Sequence, residues 1–208
     1  MANWKDPELA GVRAILAARQ HEHGAPTPGF PERRAAMDAL GEKGALPVGC
    51  YHEPVPLGGV RGEPVVPQGA APGRTMLYLH GGAYTMGSPR SHRPLVARLA
   101  AAARAVAVAV DYRLGPEHRF PAAVDDALAA YRALLDGGAE PERLVVAGDS
   151  AGGGLAMALA LALERDGLPQ PAGWFVMSPW ADLTQSGASY ASKTATDPTI
   201  NKPRLDEN

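Results

Sequence analysis

Leu144-Val145-Val146-Ala147-Gly148-Asp149-Ser150-Ala151-Gly152-Gly153-Gly154 decides how the rest of the chain is read. Four apolar residues read as a buried strand, and the run from Ala151 reads as a helix. Between them Gly148-Asp149-Ser150-Ala151-Gly152 fits G-x-S-x-G, the pattern of a nucleophile elbow. There a strained strand-to-helix turn lifts one serine hydroxyl above the end of a sheet. Glycines two before and two after Ser150 remove side chains where strand and helix crowd together. An ordinary turn serine in a doubly wound sheet is the bland alternative, and the strand before and apolar helix after weigh against it.

A second stretch lies upstream. Arg74 to Leu79 is strand-like and runs into His80-Gly81-Gly82-Ala83. Small residues there let backbone N–H groups approach a tetrahedral oxyanion closely. Ala151 adds an N–H at a helix N-terminus, where the dipole favours negative charge.

Two further runs complete a series. Asp111-Tyr112-Arg113-Leu114-Gly115-Pro116-Glu117-His118-Arg119-Phe120-Pro121-Ala122-Ala123 lies between the first two, and Ser178-Pro179-Trp180-Ala181-Asp182-Leu183-Thr184 follows them. In this order the four motifs resemble the signatures of the bacterial hormone-sensitive-lipase-like esterases, a branch of the α/β-hydrolases. The resemblance implies a serine carboxylic ester hydrolase acting by acyl transfer on short or medium acyl chains. It makes Ser150 the nucleophile and Gly81, Gly82 and Ala151 the oxyanion donors. His80 orients the loop, and Arg113 and Glu117 form a buried ion pair bracing it. His118 is a satisfied structural histidine of the same loop. Asp149 is structural, and Asp182 is not the family's acid. No metal or organic cofactor is implied.

The composition agrees with an enzyme of this kind. At 46% hydrophobic and 20% charged residues, the 208-residue chain has the balance of one globular domain with a sizeable core. A net charge of -2 makes neither nucleic acid nor an anionic membrane an obvious partner. The one cysteine, Cys50, forms no internal disulfide and reads as a packed apolar residue. The first residues lack the apolar core of a signal peptide, and no run is long enough to span a bilayer, so a cytoplasmic location is expected.

The expected fold is α/β: a doubly wound, mostly parallel sheet, C-terminally incomplete, with N-terminal cap helices. Residues 1–44 are expected to form the cap helices, including one over 32–40, and residues 45–208 the hydrolase core. His21-Glu22-His23 suggests a metal, but residues two apart do not share a helix face, and a solvated helix end is the better account. Weak strands over 50–57 and 62–66 carry prolines, which place them at the sheet margin. Strands are expected over 75–79, 105–110, 144–147 and 174–177, with helices over 90–103, from Pro121 to Gly137, and after Ser150. Leu155 to Leu163 is apolar on every side, as for a helix buried under the sheet.

The triad is where the motifs fall short. The α/β-hydrolase order is Ser, then Asp or Glu, then His. All six histidines, His21, His23, His52, His80, His92 and His118, precede Ser150. The resemblance implies an acid and a histidine on loops beyond Asn208, and a strand at 174–177 left as a sheet edge. An unprotected apolar edge invites pairing with another chain. A second expectation follows: a catalytically incomplete fragment or pseudoenzyme that binds small esters, forms a homo-oligomer, or meets a complementing chain. A hydrolase of amides or lactones on the same fold is a third, because fold does not fix substrate.

Overall fold

A computed structural model describes residues 10–12, 14, 28–47, 50, 53–193, 197, 200 and 205. The chain divides into two compact units, residues 29–181 and residues 1–28 with 182–208. The motifs at 80–83, 111–123 and 148–154 lie in the first of these, and the motif at 178–184 runs from the first into the second. His21-Glu22-His23 lies outside the described residues.

The 29–181 unit is a six-stranded sheet in the order β1-β2-β4-β3-β5-β6. Its strands are β1 (Val55–Leu57), β2 (Val60–Val65), β3 (Thr75–Leu79), β4 (Val106–Asp111), β5 (Leu144–Asp149) and β6 (Gly173–Met177). Strands β4, β3, β5 and β6 are parallel, and β1 and β2 are added antiparallel at one margin. The prolines expected to hold the first two strands at that margin, Pro56 and Pro64, sit within them. The helices are α1 (Phe30–Glu42), α2 (Pro89–Ala103), α3 (Ala122–Asp136) and α4 (Ala151–Arg165). The other unit carries a short α5 (Ser189–Ser192).

Alternating strand and helix wraps apolar side chains over both sheet faces. On one face Leu77, Leu79, Val108, Val110, Leu144 and Val146 pack against Leu128 and Tyr131 of α3 and Leu155, Leu159 and Leu163 of α4. On the other, Met76, Tyr78, Ala107, Ala109 and Ala147 pack against Val96, Ala97 and Ala100 of α2. Continuous apolar strands such as β4 are what a sheet covered on both faces requires. Helix α4 departs from expectation at one point. Leu161 is 69% exposed, because the helix is covered only along its sheet-facing and α3-facing stripes.

Helix α1 buries no residue and docks through polar contacts. Asp38 accepts from Ser88 Oγ at 2.5 Å, Glu42 pairs with Arg90, and Arg34 reaches the loops beyond β3 and β4. It belongs to the same unit as the sheet, whereas residues 1–28 do not.

Strand β3 lies between β4 and β5, and the connections from it and from β5 leave in opposite directions across the sheet. The carboxyl ends of neighbouring strands at such a switch point make the crevice in which open α/β sheets bind ligands. Leu79 is in register with Gly148, so His80 and Ser150 emerge side by side there.

Candidate active site

Ser150 sits at φ 52°, ψ -118°, between β5 and α4. This left-handed backbone is costly for a residue with a Cβ, about 1–3 kcal/mol, and persists only where the surroundings over-determine it. Here three backbone bonds do so. Ser150 N–H donates to Met177 O at 2.9 Å, while its carbonyl accepts from Trp180 N–H at 2.8 Å and Gly154 N–H at 3.0 Å. The flanking glycines are steric necessities. A Cβ on Gly152 would lie 2.0 Å from Leu79 O, and one on Gly148 would lie 2.5 Å from Gly152 O. The start of α4 is thus pressed against the end of β3, which brings the Ala151 N–H to the loop at His80. As the first residue of the helix, Ala151 has an N–H with no intrahelical acceptor.

The loop after β3 is built on His80, which is fully buried. Its ring stacks on Tyr112 with centroids 4.2 Å apart and planes 13° from parallel. Tyr112 Oη donates to His80 O at 2.6 Å, and His80 Nδ1 lies 2.8 Å from Gly81 O. Burial, and then the neighbouring His92, lower the imidazole's pKa to about 3, so it stays neutral. Ala83 and Tyr84 follow at φ 54° and 59°, a tight left-handed turn closed by Met86 N–H on Gly82 O at 2.8 Å.

Two expectations are corrected here. Gly81 is not a free donor: its N–H is taken by Asp149 Oδ1 at 2.9 Å, on the underside of the loop. Among the described residues no acceptor is recorded for the N–H groups of Gly82 and Ala83, and these remain available with that of Ala151. The second correction concerns Arg113 and Glu117, which do not pair. Arg113 grips Asp126, one residue past the first turn of α3, through Nη2 at 2.8 Å, Nε at 3.0 Å and its backbone N–H at 2.8 Å. Glu117 pairs with Arg34 of α1, whose guanidinium meets both carboxylate oxygens at 2.7 and 3.0 Å. The Arg34 hydrogen bonds hold the exposed Glu117 carboxyl down at about 2. Asp126 is buried and aimed at the end of β4, which is why Arg113 turns to it. The same Arg34 donates to Thr85 O at 2.8 Å and Gly115 O at 2.7 Å, and so joins the Gly115 N–H bond to Tyr84 O in tying the two loops together.

Three histidines are described, and none hydrogen-bonds to Ser150 Oγ. His80 and His92 are buried beneath the loop, while His118 is exposed instead of satisfied within the fold. Asp182, in the other unit, caps its own turn by accepting from Thr184 and Ser186, which drives its carboxyl far down. Among the described residues no group of His, Cys, Asp and Glu is arranged to hold a metal ion, and no helix is long and apolar enough to cross a membrane.

The residues that sequence reasoning missed are Arg34, Tyr78, His92 and Asp126. Tyr78 Oη donates to Asp149 Oδ1 at 2.7 Å, and His92 Nε2 stands 3.5 Å from Asp149 Oδ2. None of the four carried a local signal in the sequence: even Asp126 lies past the first turn of α3, where Asp125 is the acid.

Comparison with known proteins agrees with this geometry. A family model described as alpha/beta hydrolase fold matches residues 76–207. An acetyl-hydrolase of Streptomyces hygroscopicus is 45% identical over 190 residues, covering 91% of this chain and 62% of that protein. A putative acetyl-hydrolase, LipR, of Mycobacterium tuberculosis is 42% identical over 175 residues, covering 84% of this chain and 54% of its own length. This chain therefore spans roughly half to two thirds of those relatives. The crystal structure of an esterase from the bacterial hormone-sensitive lipase family superposes with a TM-score of 0.90 at 36% identity, over all of this chain and 68% of that one. The chain belongs to the α/β-hydrolase fold family and, within it, to the bacterial hormone-sensitive lipase branch.

Proposed function

We propose that this chain carries the nucleophile and the oxyanion donors of a serine carboxylic ester hydrolase. The observation that carries the reading is Ser150 itself, held at a strained φ of 52° at the head of α4, next to the unengaged N–H groups of Gly82, Ala83 and Ala151. Ser150 Oγ attacks the ester carbonyl carbon and gives up its proton to a base. The carbonyl oxygen becomes an oxyanion received by the three amides. The carbon–oxygen bond to the alcohol breaks, the alcohol leaves with a proton, and water releases the acid from the acyl-serine. Relatives named acetyl-hydrolase, esterase and carboxylesterase support esters as the substrate class. Short or medium acyl groups and a cytoplasmic setting are part of the same proposal.

One observation favours a second reading. No described imidazole hydrogen-bonds to Ser150, and the Nδ1 atoms of the two buried ones meet Gly81 O and Ser91 Oγ. In that reading the chain binds small esters without turning them over, or is completed by a partner or a second copy along β6, which pairs only with β5 among the described residues. Hydrolysis of p-nitrophenyl butyrate by the folded chain, beside Ser150→Ala, separates the two. Turnover lost in the variant supports the first, and equal rates support the second.

A further inference from the structure

Asp149 precedes the serine, yet its side chain turns under the oxyanion loop. Oδ1 accepts from Gly81 N–H at 2.9 Å and from Tyr78 Oη at 2.7 Å. Oδ2 fills the space a Cβ on Gly81 would need, only 2.3 Å from that position. The carboxylate thus cradles Gly81 from two sides, and its rotation about χ2 sets where the loop begins. The group facing Oδ2 is His92 Nε2, at 3.5 Å. Burial alone would raise the Asp149 pKa. The contacts from His92, with the Tyr78 hydroxyl and the Gly81 amide, more than offset that and hold it below the usual carboxylate range. His92 is 7% exposed. Its ring centroid lies 5.5 Å from that of His80 and 6.4 Å from that of Tyr78, and Nδ1 lies 2.8 Å from Ser91 Oγ. Ser91 is itself fixed by the capping box with Ser88 at the head of α2.

We propose that His92 is a positioning residue for ester hydrolysis at Ser150: through Asp149 it holds Gly81, and so aims the Gly82 and Ala83 amides at the oxyanion. The inference rests on reading Ser150 as the nucleophile. It requires a hydrogen on Nε2, because a bare nitrogen lone pair facing Oδ2 would repel the carboxylate. Ser91 permits this in either charge state. When the ring is neutral, Ser91 Oγ–H donates to Nδ1. When the ring is protonated, Nδ1–H donates to Ser91 Oγ, whose own hydrogen turns to Ser88 O at 2.9 Å.

Three measurements on the full chain test this. A long-range nitrogen–proton spectrum should place the His92 proton on Nε2, and a ring protonated on Nδ1 alone overturns the proposal. Hydrogen exchange of the Gly81 amide and the affinity of butylboronic acid, which forms a tetrahedral adduct on a nucleophilic serine, are compared in wild type, His92→Leu and His92→Gln. The leucine variant should speed Gly81 exchange and weaken the boronate by about ten- to a hundredfold, the scale of a misplaced catalytic group. Glutamine, which carries an N–H at the same reach, should restore both to within about threefold. A folded leucine variant that matches wild type, or a glutamine variant as defective as leucine, overturns the proposal. If wild type binds boronate no better than Ser150→Ala, the nucleophile reading fails, and Gly81 exchange with the ring tautomer still decides the brace. If His92→Leu does not fold, the tautomer and the glutamine variant decide it.

Discussion

His80 must remain uncharged for the loop to hold, because a charge on a fully buried ring stacked on Tyr112 has no water to solvate it. Its ordinary pKa of 6.5 is lowered to about 3 in the fold. Below pH 6.5 the unfolded chain takes up a proton that the folded chain refuses. Stability from this group is therefore complete above pH 6.5 and declines between pH 6.5 and 3, by up to about 1.4 kcal/mol per pH unit. Urea unfolding at about pH 7 and about pH 5, above the range where most carboxylates titrate, should show this slope, and His80→Phe should flatten it. An unchanged slope in the variant would assign the dependence to other groups. The strained turn at Ser150 was legible in the sequence at this scale, because five consecutive residues carry the elbow. The engagement of the Gly81 amide was not, because it depends on where the Asp149 side chain turns in the fold.

Arg34 shows what happens at the scale of elements. Helix α1 has no buried side chain, so its place depends on a few polar contacts, of which the Arg34 fork is the most extensive. Its ion pair with the exposed Glu117 adds little. Its bonds to the Thr85 and Gly115 carbonyls add more, because hydrogen bonds to charged groups contribute about 1.5–3 kcal/mol each. Arg34→Ala should cost about 2 kcal/mol in chemical denaturation and raise hydrogen exchange across 30–42, whereas Glu117→Gln should cost under about 0.5 kcal/mol. Lysine at position 34 should recover little, since an ammonium cannot reach two carbonyls and a carboxylate at once. Most strands and helices could be located in the sequence, because apolar runs and 3.6-residue spacing are local signals. The Arg34 pairing joins residues 83 apart, and nothing local marks it. Arg113 and Glu117 lay four apart and invited a pairing that two more distant partners, Asp126 and Arg34, outcompete.

Across the whole molecule, the arrangement follows from strand order. Placing β3 between β4 and β5 puts the loop at His80 beside the elbow, although Ser150 lies 70 positions after His80 in the sequence. The sheet was legible as a class from alternating elements, but the two-unit division was not, since residues 1–28 group with 182–208 through space. At the far margin β6 pairs with β5 alone among the described residues, and Phe175 is 48% exposed there. If that edge takes a second copy, sedimentation velocity should show concentration-dependent association, weakened by Phe175→Lys, the kind of charge that protects natural edges. A monomer at all concentrations would rule that association out.

The most direct test of the central claim looks for the covalent intermediate. The folded chain is mixed with p-nitrophenyl butyrate, quenched in acid and analysed by peptide mass spectrometry. The account predicts one butyryl group, on the peptide holding Ser150, and none in Ser150→Ala. A butyryl group elsewhere, or an equal yield in the variant, would contradict it.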